Sequence, residues 1–343
     1  MTNSRRAEVL AMYQGVNITS AIQDDLLSFS YTDNASGASD SVSLSLKDHK
    51  RKWVSEWFPE KGDMLIPTIV TNNWRREGDR QQLNCGRFYI DNPSYSGRPS
   101  SFDLNGTSSP LNRNFKDVKK SKTWRNITLF SIAGDIANEA GLKLETFVSG
   151  AGENPRYPSI EQSETSDAEF LAELCENEGL AMKVTDSKII IFDERVFESR
   201  ASVKSISEAN QNTLSYSFES SLSDTAYAGV KVSYFDVKIG RNIDFLYSLN
   251  DIDEDSKIYK LNKRVNSGSE ARRLAQKTLR RLNKVETTGS LTVTGDVELL
   301  GGVCVDLTGF GAFDGKYYIT SADHSIGSGY TTSIDVRKVL EGY

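Results

Sequence analysis

LSFSYTDNASGASDSVSLSL occupies residues 27–46, and LSYSFESSLSDTAYAGVKVSY occupies residues 214–234. Both open on Leu-Ser-aromatic-Ser-aromatic, pass through a polar stretch rich in Ser, Asp, Asn and Gly, and end in a second alternating run. Strict alternation of apolar residues with serine puts one face of a strand on a core and the other toward solvent or a neighbour. The polar stretch Asp33 to Asp40 reads as a hairpin loop. Working outward, further landmarks recur in the same order. Gly62-Asp63 is matched by Gly295-Asp296, Gly86-Arg87-Phe88-Tyr89-Ile90 by Gly315-Lys316-Tyr317-Tyr318-Ile319, and Phe102-Asp103-Leu104 by Ile334-Asp335-Val336. A pair such as Gly-Asp recurs by chance; the ordered set reads as one β unit used twice.

Each copy is followed by a segment with helical character. In residues 48–58, DHKRKWVSEWF, a helix would bring Trp53, Val54, Trp57 and Phe58 to one face, with Pro59 and Gly62 stopping it. The stretch from Glu270 to Val285 would bury Ala271, Leu274, Ala275, Thr278, Leu282 and Val285. Its other face carries Arg272, Arg273, Lys277, Arg280, Arg281 and Lys284. Residues 236–266, a charged segment with apolar residues alternating at Ile243, Phe245 and Tyr247, read as an inserted hairpin. Between the copies the periodicity changes to that of helices, over 124–141 and 166–179. Ser166 and Glu169 form a capping box before the apolar face of Phe170, Leu171, Leu174 and Cys175, and Gly179 stands where the helix stops. A strand pair, 181–184 and 188–192, turns at Asp186-Ser187.

The fold expected is therefore a β-rich α+β chain. Residues 1–122 would form a first β-barrel, 123–205 a small α+β insert, and 206–343 a second barrel, each barrel with a packed helix. The 236–266 hairpin would sit in the second barrel or join the middle domain.

With 343 residues, 38% hydrophobic and 26% charged, and a mean hydropathy of −0.45, the chain has the composition of a globular protein with room for two or three cores. A net charge of −6 gives no footprint for duplex nucleic acid, so no specific nucleic-acid binding is expected. No apolar run approaches membrane-span length and none at the start resembles a secretion signal, so a protein made in the cytoplasm is expected. Cys85, Cys175 and Cys304 are odd in number and far apart, and read as buried free thiols.

Catalytic arrangements are not legible. His49 and His324 stand alone, without a second histidine or a cysteine at ligand spacing. Asp251, Asp253 and Asp255 begin like a calcium loop, but Ser256 replaces its glycine and Asn262 its last glutamate. Gly309, Gly311 and Gly315 sit among strand residues with no helix to receive a pyrophosphate. No catalytic, metal or cofactor residues are assigned, no cofactor is expected, and the protein is read as a non-enzyme. The basic face of the 270–285 helix could follow a phosphate backbone, but such a stripe is more usually a solvated face or meets acidic partner residues.

TSDAEFLAELCENEGLAMKVTDSKIIIFDE (165–194) resembles the inset of phage late-control D proteins, the baseplate hubs of contractile tails. GKYYITSADHSIGSGYTTSIDVRKV (315–339) resembles the C-terminal part of the same family, in which a Gly-x-Tyr-x-Ile run is followed by the histidine, here His324, and then by Gly-Tyr-Thr. The resemblance runs from about residue 20 onward and transfers no catalytic residues. It implies two tube-like barrels per chain. It also implies a homotrimer adapting a sixfold tail tube to a threefold spike in a phage or tailocin, with the tube, the spike and other baseplate proteins as partners. Two other readings remain. One is a carbohydrate- or surface-binding β module using Trp53, Trp57, Trp74 and Trp124; the other is a β-rich hydrolase whose carboxylates meet only in space.

Overall fold

In the computed structural model, which describes residues 4–342 apart from 109–112, 150–153, 186, 224, 237–238, 264 and 266–267, the two echoing stretches begin two sheet units of the same strand order. The first runs Leu26–Asn34, Ser41–Lys47, Ser101–Thr107, Phe88–Ser96, Met64–Asn72 and Arg6–Tyr13. The second runs Thr213–Ser220, Thr287–Thr294, Tyr330–Lys338, Gly315–Ile326, Cys304–Thr308 and Lys204–Ser207. The units differ at the last step, where Arg6–Tyr13 joins antiparallel and Lys204–Ser207 parallel. Gly315–Ile326 of the second unit pairs with Leu26–Asn34 of the first, so both share one sheet of 14 strands. That sheet is open, and neither unit closes on itself.

The alternation does what its period requires. In Ser41–Lys47, Val42, Leu44 and Leu46 are buried while the intervening serines face outward. They join a core with Phe29, Tyr31, Ile69, Phe88 and Phe102. The second unit has its own core around Leu291, Val305, Ile319 and Ile334.

Register shows how literal the repeat is. In each unit the first strand carries one extra residue against its neighbour: Leu27, between the pairs Leu26–Leu46 and Ser28–Ser45, and Leu214, between Thr213–Val293 and Ser215–Thr292. Phe29 opposite Leu44 thus corresponds to Tyr216 opposite Leu291. The third strand pairs also share a bulge, after Ile90 and after Ile319. Bulges are placed features of a sheet, and two at matching positions confirm the repeat residue by residue.

Some expected correspondences do not hold. Ile90 lies opposite Gly106 and Ile319 opposite Val336, so Ile334 matches Leu104 and the Phe102-Asp103-Leu104 alignment is two residues out, on the same face. Gly62 corresponds to Gly302, not Gly295. Both take φ near 90°, where an L side chain is strained, and their N–H groups donate to Ile90 O (2.7 Å) and Ile319 O (2.9 Å). The strand containing 229–234 is not the second strand of the second unit. Gly229–Asp236 leaves the large sheet and pairs with Arg241–Ser248 and Ile258–Leu261; Thr287–Thr294 takes the place expected for it. The insertion thus begins before residue 236 and includes the helix Gly268–Asn283, whose Ala271, Ala275 and Leu279 pack on Val230 and Val232 of the small sheet. It is not the packed helix of a second barrel.

Nor do residues 48–58 form a helix. Both carboxylate oxygens of Asp48 take N–H groups, from Trp53 (3.2 Å) and Val54 (3.1 Å), and Arg51 has φ 57°. A side chain that captures backbone donors in this way competes with a helix, and the segment folds into turns.

The middle of the chain follows its sequence closely. Ser166 Oγ accepts from Glu169 N (3.2 Å) and Ser166 N donates to Glu169 (3.0 Å), capping the helix Asp167–Asn177. Strands Ala181–Val184 and Lys188–Phe192 pair antiparallel, and Lys143–Phe147 adds in parallel; of the expected turn, Asp186 lies outside the described residues. Residues 124–128, expected in the first helix, instead end a strand, Lys120–Thr128, that pairs with Arg156–Thr165. Thr128 then caps the helix Leu129–Ala140. All three cysteines are buried and free.

Candidate functional site: the strand seam and its open counterpart

The seam between the units is built from the residues of the quoted hairpin. Asn34 through Phe29 lie opposite Ser321 through Ile326. Thr32 Oγ1 donates to Asp323 (2.9 Å) and Ala35 N to Thr320 O (2.9 Å). Tyr31 stacks on the His324 ring at 5.8 Å. The histidine is enclosed by Tyr330 Oη (2.8 Å), Leu299 O (3.0 Å) and Thr332 Oγ1 (3.2 Å), and burial pushes its pKa down to about 4. His324 is thus a neutral, hydrogen-bonded member of the seam, whereas His49 is exposed.

Asp33 joins three parts of the chain. Its carboxylate accepts Gly301 N of the second unit (2.9 Å) and Lys183 Nζ of the middle segment (2.6 Å). Lys183 also reaches Asn34 O (2.7 Å) and Asp40 (3.0 Å). Burial acts to lower the Lys183 pKa, but the two carboxylates outweigh it and raise it. At the other end of the join, the arginine-bearing turn after Asn72 meets the Gly295-Asp296 corner. Trp74 Nε1 donates to Gly295 O (2.6 Å), and Arg75 grips Asp296 (2.7 Å) and both oxygens of Glu298 (3.0 and 2.7 Å). Gly295 is required there, since a Cβ would lie 2.2 Å from the Tyr330 ring.

The matching edge of the second unit is open. Thr213–Ser220 has Thr287–Thr294 on one side and no strand on the other among the described residues. Phe29 is buried at the seam, while its counterpart Tyr216 is 47% exposed, in a ring cluster with Phe218 and Phe310. Such an edge is a template for pairing with another chain.

The basic helix face finds its partners within the chain. Lys277 pairs with Glu178 (3.2 Å), Arg280 with Glu198 (2.7 Å), Arg281 with Glu176 (3.2 Å) and Lys284 with Glu194 (2.8 Å). The buried Arg337 joins Glu198 (2.5 Å) and Glu194 (3.2 Å). The four tryptophans do not share a platform: Trp53 and Trp124 are buried in different cores. Around Asp253 the acidic loop is closed by Ser256, which donates to its carboxylate (2.6 Å). No group of three or more His, Cys, Asp or Glu that would hold a metal occurs among the described residues, and no helix there is long and apolar enough to cross a membrane.

A family model described as phage tail baseplate hub (GPD) matches residues 113–330. The chain belongs to that family. Among proteins similar to this hub-family chain is the probable baseplate hub protein of Escherichia phage P2, 28% identical over 184 residues, covering 53% of this chain and 44% of that protein. The corresponding protein of Escherichia phage 186 is 26% identical over 174 residues, covering 51% and 42%. The match thus spans less than half of either relative. Solved structures share the fold along nearly the whole chain. The 43 kDa tail protein of prophage MuSo2 from Shewanella oneidensis superposes with a TM-score of 0.70 at 16% identity, covering 97% of this chain and 98% of that one. A tail protein from Neisseria meningitidis MC58 gives 0.71 at 12%, covering 97% and 96%. The E. coli c3393 protein, described as a type VI secretion system component, gives 0.57 at 11%, covering 99% and 78%. The sequence pointed to the family through 165–194 and 315–339; it gave no signal for Asp33 and Lys183, since their partnership is made only in space.

Proposed function

We propose that the protein is a structural hub in the baseplate of a contractile injection system, a phage tail or tailocin, and not an enzyme. Three copies would form a ring in which six similar units face a sixfold tail tube on one side and a threefold spike on the other. In this reading residues 1–122 and 206–343 are the two tube-like, barrel-forming parts and 123–205 the α+β insert. The protein would be made in the bacterial cytoplasm and incorporated into the particle, with tube, spike and other baseplate proteins as its partners.

The observation that carries the reading is the open edge. Within one chain, Gly315–Ile326 of the second unit fills the edge of Leu26–Asn34; the equivalent Thr213–Ser220 edge has the same backbone groups to satisfy. The strand equivalent to Gly315–Ile326 is Phe88–Ser96, so the partner implied is that strand of a second copy. Repeating this contact head to tail closes a ring when the rotation fits. Pro93, equivalent to Ala322, offers no N–H, so the copy-to-copy pairing has one hydrogen bond fewer than the internal seam.

Register makes the reading testable. Thr32 lies opposite Asp323, and their equivalents are Glu219 and Ser94, both exposed. By the internal seam's pattern this is a non-hydrogen-bonded pair, whose Cα separation of about 4.5 Å suits a disulfide. Glu219→Cys with Ser94→Cys, purified and oxidised, should run as a covalent ring of about three chain masses, and the unmodified protein should scatter light as a trimer. A dimer, or a monomer at every concentration alone and with the spike protein present, would rule the ring out.

A further inference from the structure

Strand Phe88–Ser96 is paired on both sides over only part of its length. Phe88 and Tyr89 pair with Leu65 and Met64. Past the bulge, residues 92–96 have Ser101–Thr107 on one side and no strand on the other among the described residues. The matching half of Gly315–Ile326, from Ser321 onward, is the half that fills the edge of Leu26–Asn34. The chain therefore has two unfilled edges, residues 92–96 and Thr213–Ser220, and they are the equivalents of the two edges joined at the seam.

Directly opposed residues of neighbouring strands share a face, so the seam's register fixes which side chains would meet. Tyr31, stacked on His324 in the seam, is equivalent to Phe218, and His324 is equivalent to Tyr95. The two positions differ from their seam counterparts in compensating directions. Val42 lies opposite Tyr31, but Gly289 lies opposite Phe218, and a Cβ there would be 2.3 Å from the Phe218 ring. The Phe218 ring thus leans over the neighbouring strand, away from the free edge. Beside it is a cleft of about 460 Å3, lined by the rings of Tyr216, Phe218, Phe310 and Phe313 and by Glu208; among the described residues none of Thr287–Thr294 lines it. The rings are in mutual contact, with Phe310 4.9 Å from Tyr216 and 5.2 Å from Phe218. At the other edge the larger Tyr95 stands where the seam has a histidine. It lies opposite the buried Phe102, on the core face. Its side chain is 39% exposed and makes no hydrogen bond or ring contact among the described residues.

We infer that, within the ring of copies proposed above and on which this contact depends, Tyr95 of a second copy is the aromatic anchor, its ring entering this cleft against Phe218. Aromatic pairs gain from offset and edge contacts beyond the area they bury, and a large ring seated in a ready pocket carries a disproportionate share of the affinity of an interface. Ile326, opposite Phe29 in the seam, is equivalent to Gly97, so the next position on that face brings no side chain to compete for the cleft.

The test follows assembly of the intact protein by sedimentation over a dilution series. Tyr95→Ala should raise the concentration at which half the chains are assembled roughly thirtyfold or more, because every subunit of the ring loses the contact. Tyr95→Phe keeps the ring and should stay within about threefold of the wild type. Phe235→Ala removes a ring that is 57% exposed on the small sheet and should leave assembly unchanged; circular dichroism verifies that each variant is folded. Oxidised Glu219→Cys with Ser94→Cys, with Tyr95 kept, reports the strand pairing separately. A covalent ring from that pair, together with Tyr95→Ala assembling like the wild type, overturns the anchor and leaves the ring standing. Equal loss in Tyr95→Ala and Phe235→Ala, or Tyr95→Phe as weak as Tyr95→Ala, also overturns the anchor. A wild type that never assembles, with no covalent ring from the cysteine pair, overturns both.

Discussion

Replacing Lys183 with methionine removes the cation that Asp33 and Asp40 share beneath the seam, while keeping much of the side chain's length. Both carboxylates are only 6% exposed, and removing one partner of a buried ionic group costs about 3–5 kcal/mol because the remaining charge is left uncompensated. The cost depends on pH in a direction the structure fixes. Burial is the largest influence on Asp40; Lys183 pulls its pKa down and Asp33 pushes it up, with the net result a rise from 3.8 to about 6. A raised carboxyl favours the folded state fully below 3.8, and that contribution is lost as pH rises through about 6. Two pH units correspond to about 3 kcal/mol. Without Lys183 the rise is larger still, so the penalty of the substitution should be about 3–5 kcal/mol at pH 7 and should be smaller at pH 4, where Asp40 is protonated. His324 has the opposite sign: its lowered pKa favours folding above 6.5, a contribution lost as pH falls through about 4. The quantity to compare is therefore variant minus wild type at each pH. A chain with several cores need not unfold in one step, so urea denaturation should be paired with hydrogen exchange at strands Leu26–Asn34 and Ala181–Val184. An equal penalty at pH 4 and pH 7, or one below about 1 kcal/mol at pH 7, would refute the reasoning.

Three further outcomes are expected. Leu44→Asp and Val232→Asp each place a carboxylate at a site 1% exposed and should each destabilise by more than about 3 kcal/mol; wild-type melting of either would mean its face was assigned wrongly. The His324 imidazole should keep the NMR shifts of the neutral ring at pH 5.5, where an ordinary histidine is mostly protonated; a midpoint near 6.5 would contradict its enclosure. Gly295→Ala should cost about 1–3 kcal/mol by driving a methyl group into the Tyr330 ring, measured as a shift in thermal midpoint, and no shift would contradict the close approach.

The sequence carried the features that depend on near neighbours along the chain. The Leu-Ser-aromatic-Ser-aromatic echo is in register in the two units, down to the bulges at Leu27 and Leu214. The Ser166 and Glu169 cap needs only three residues of separation and formed as read. Helix 268–283 was legible from its apolar face. What failed was the assignment of partners. Residues 229–234 and 291–294 have the same alternation, and period two records which face is buried without recording which strand lies alongside. The same ambiguity put Phe102-Asp103-Leu104 two residues out of line, since a shift of two keeps every side chain on its face. Residues 48–58 have a helical apolar pattern, yet Asp48 takes the donors a helix would use.

Sequence by itself thus determined that a β unit occurs twice, which faces its strands bury, and where the helix capped by Ser166 begins, because these follow from side-chain chemistry at fixed short spacing. Tertiary structure alone decided that the units share one sheet, that Asp33 meets Lys183, that the basic helix faces the glutamates of the middle segment, and that Thr213–Ser220 is left with an open edge. Those pairings join residues far apart along the chain, and they are settled by where the closed backbone places hydrogen-bonding groups and charges that cannot be buried alone.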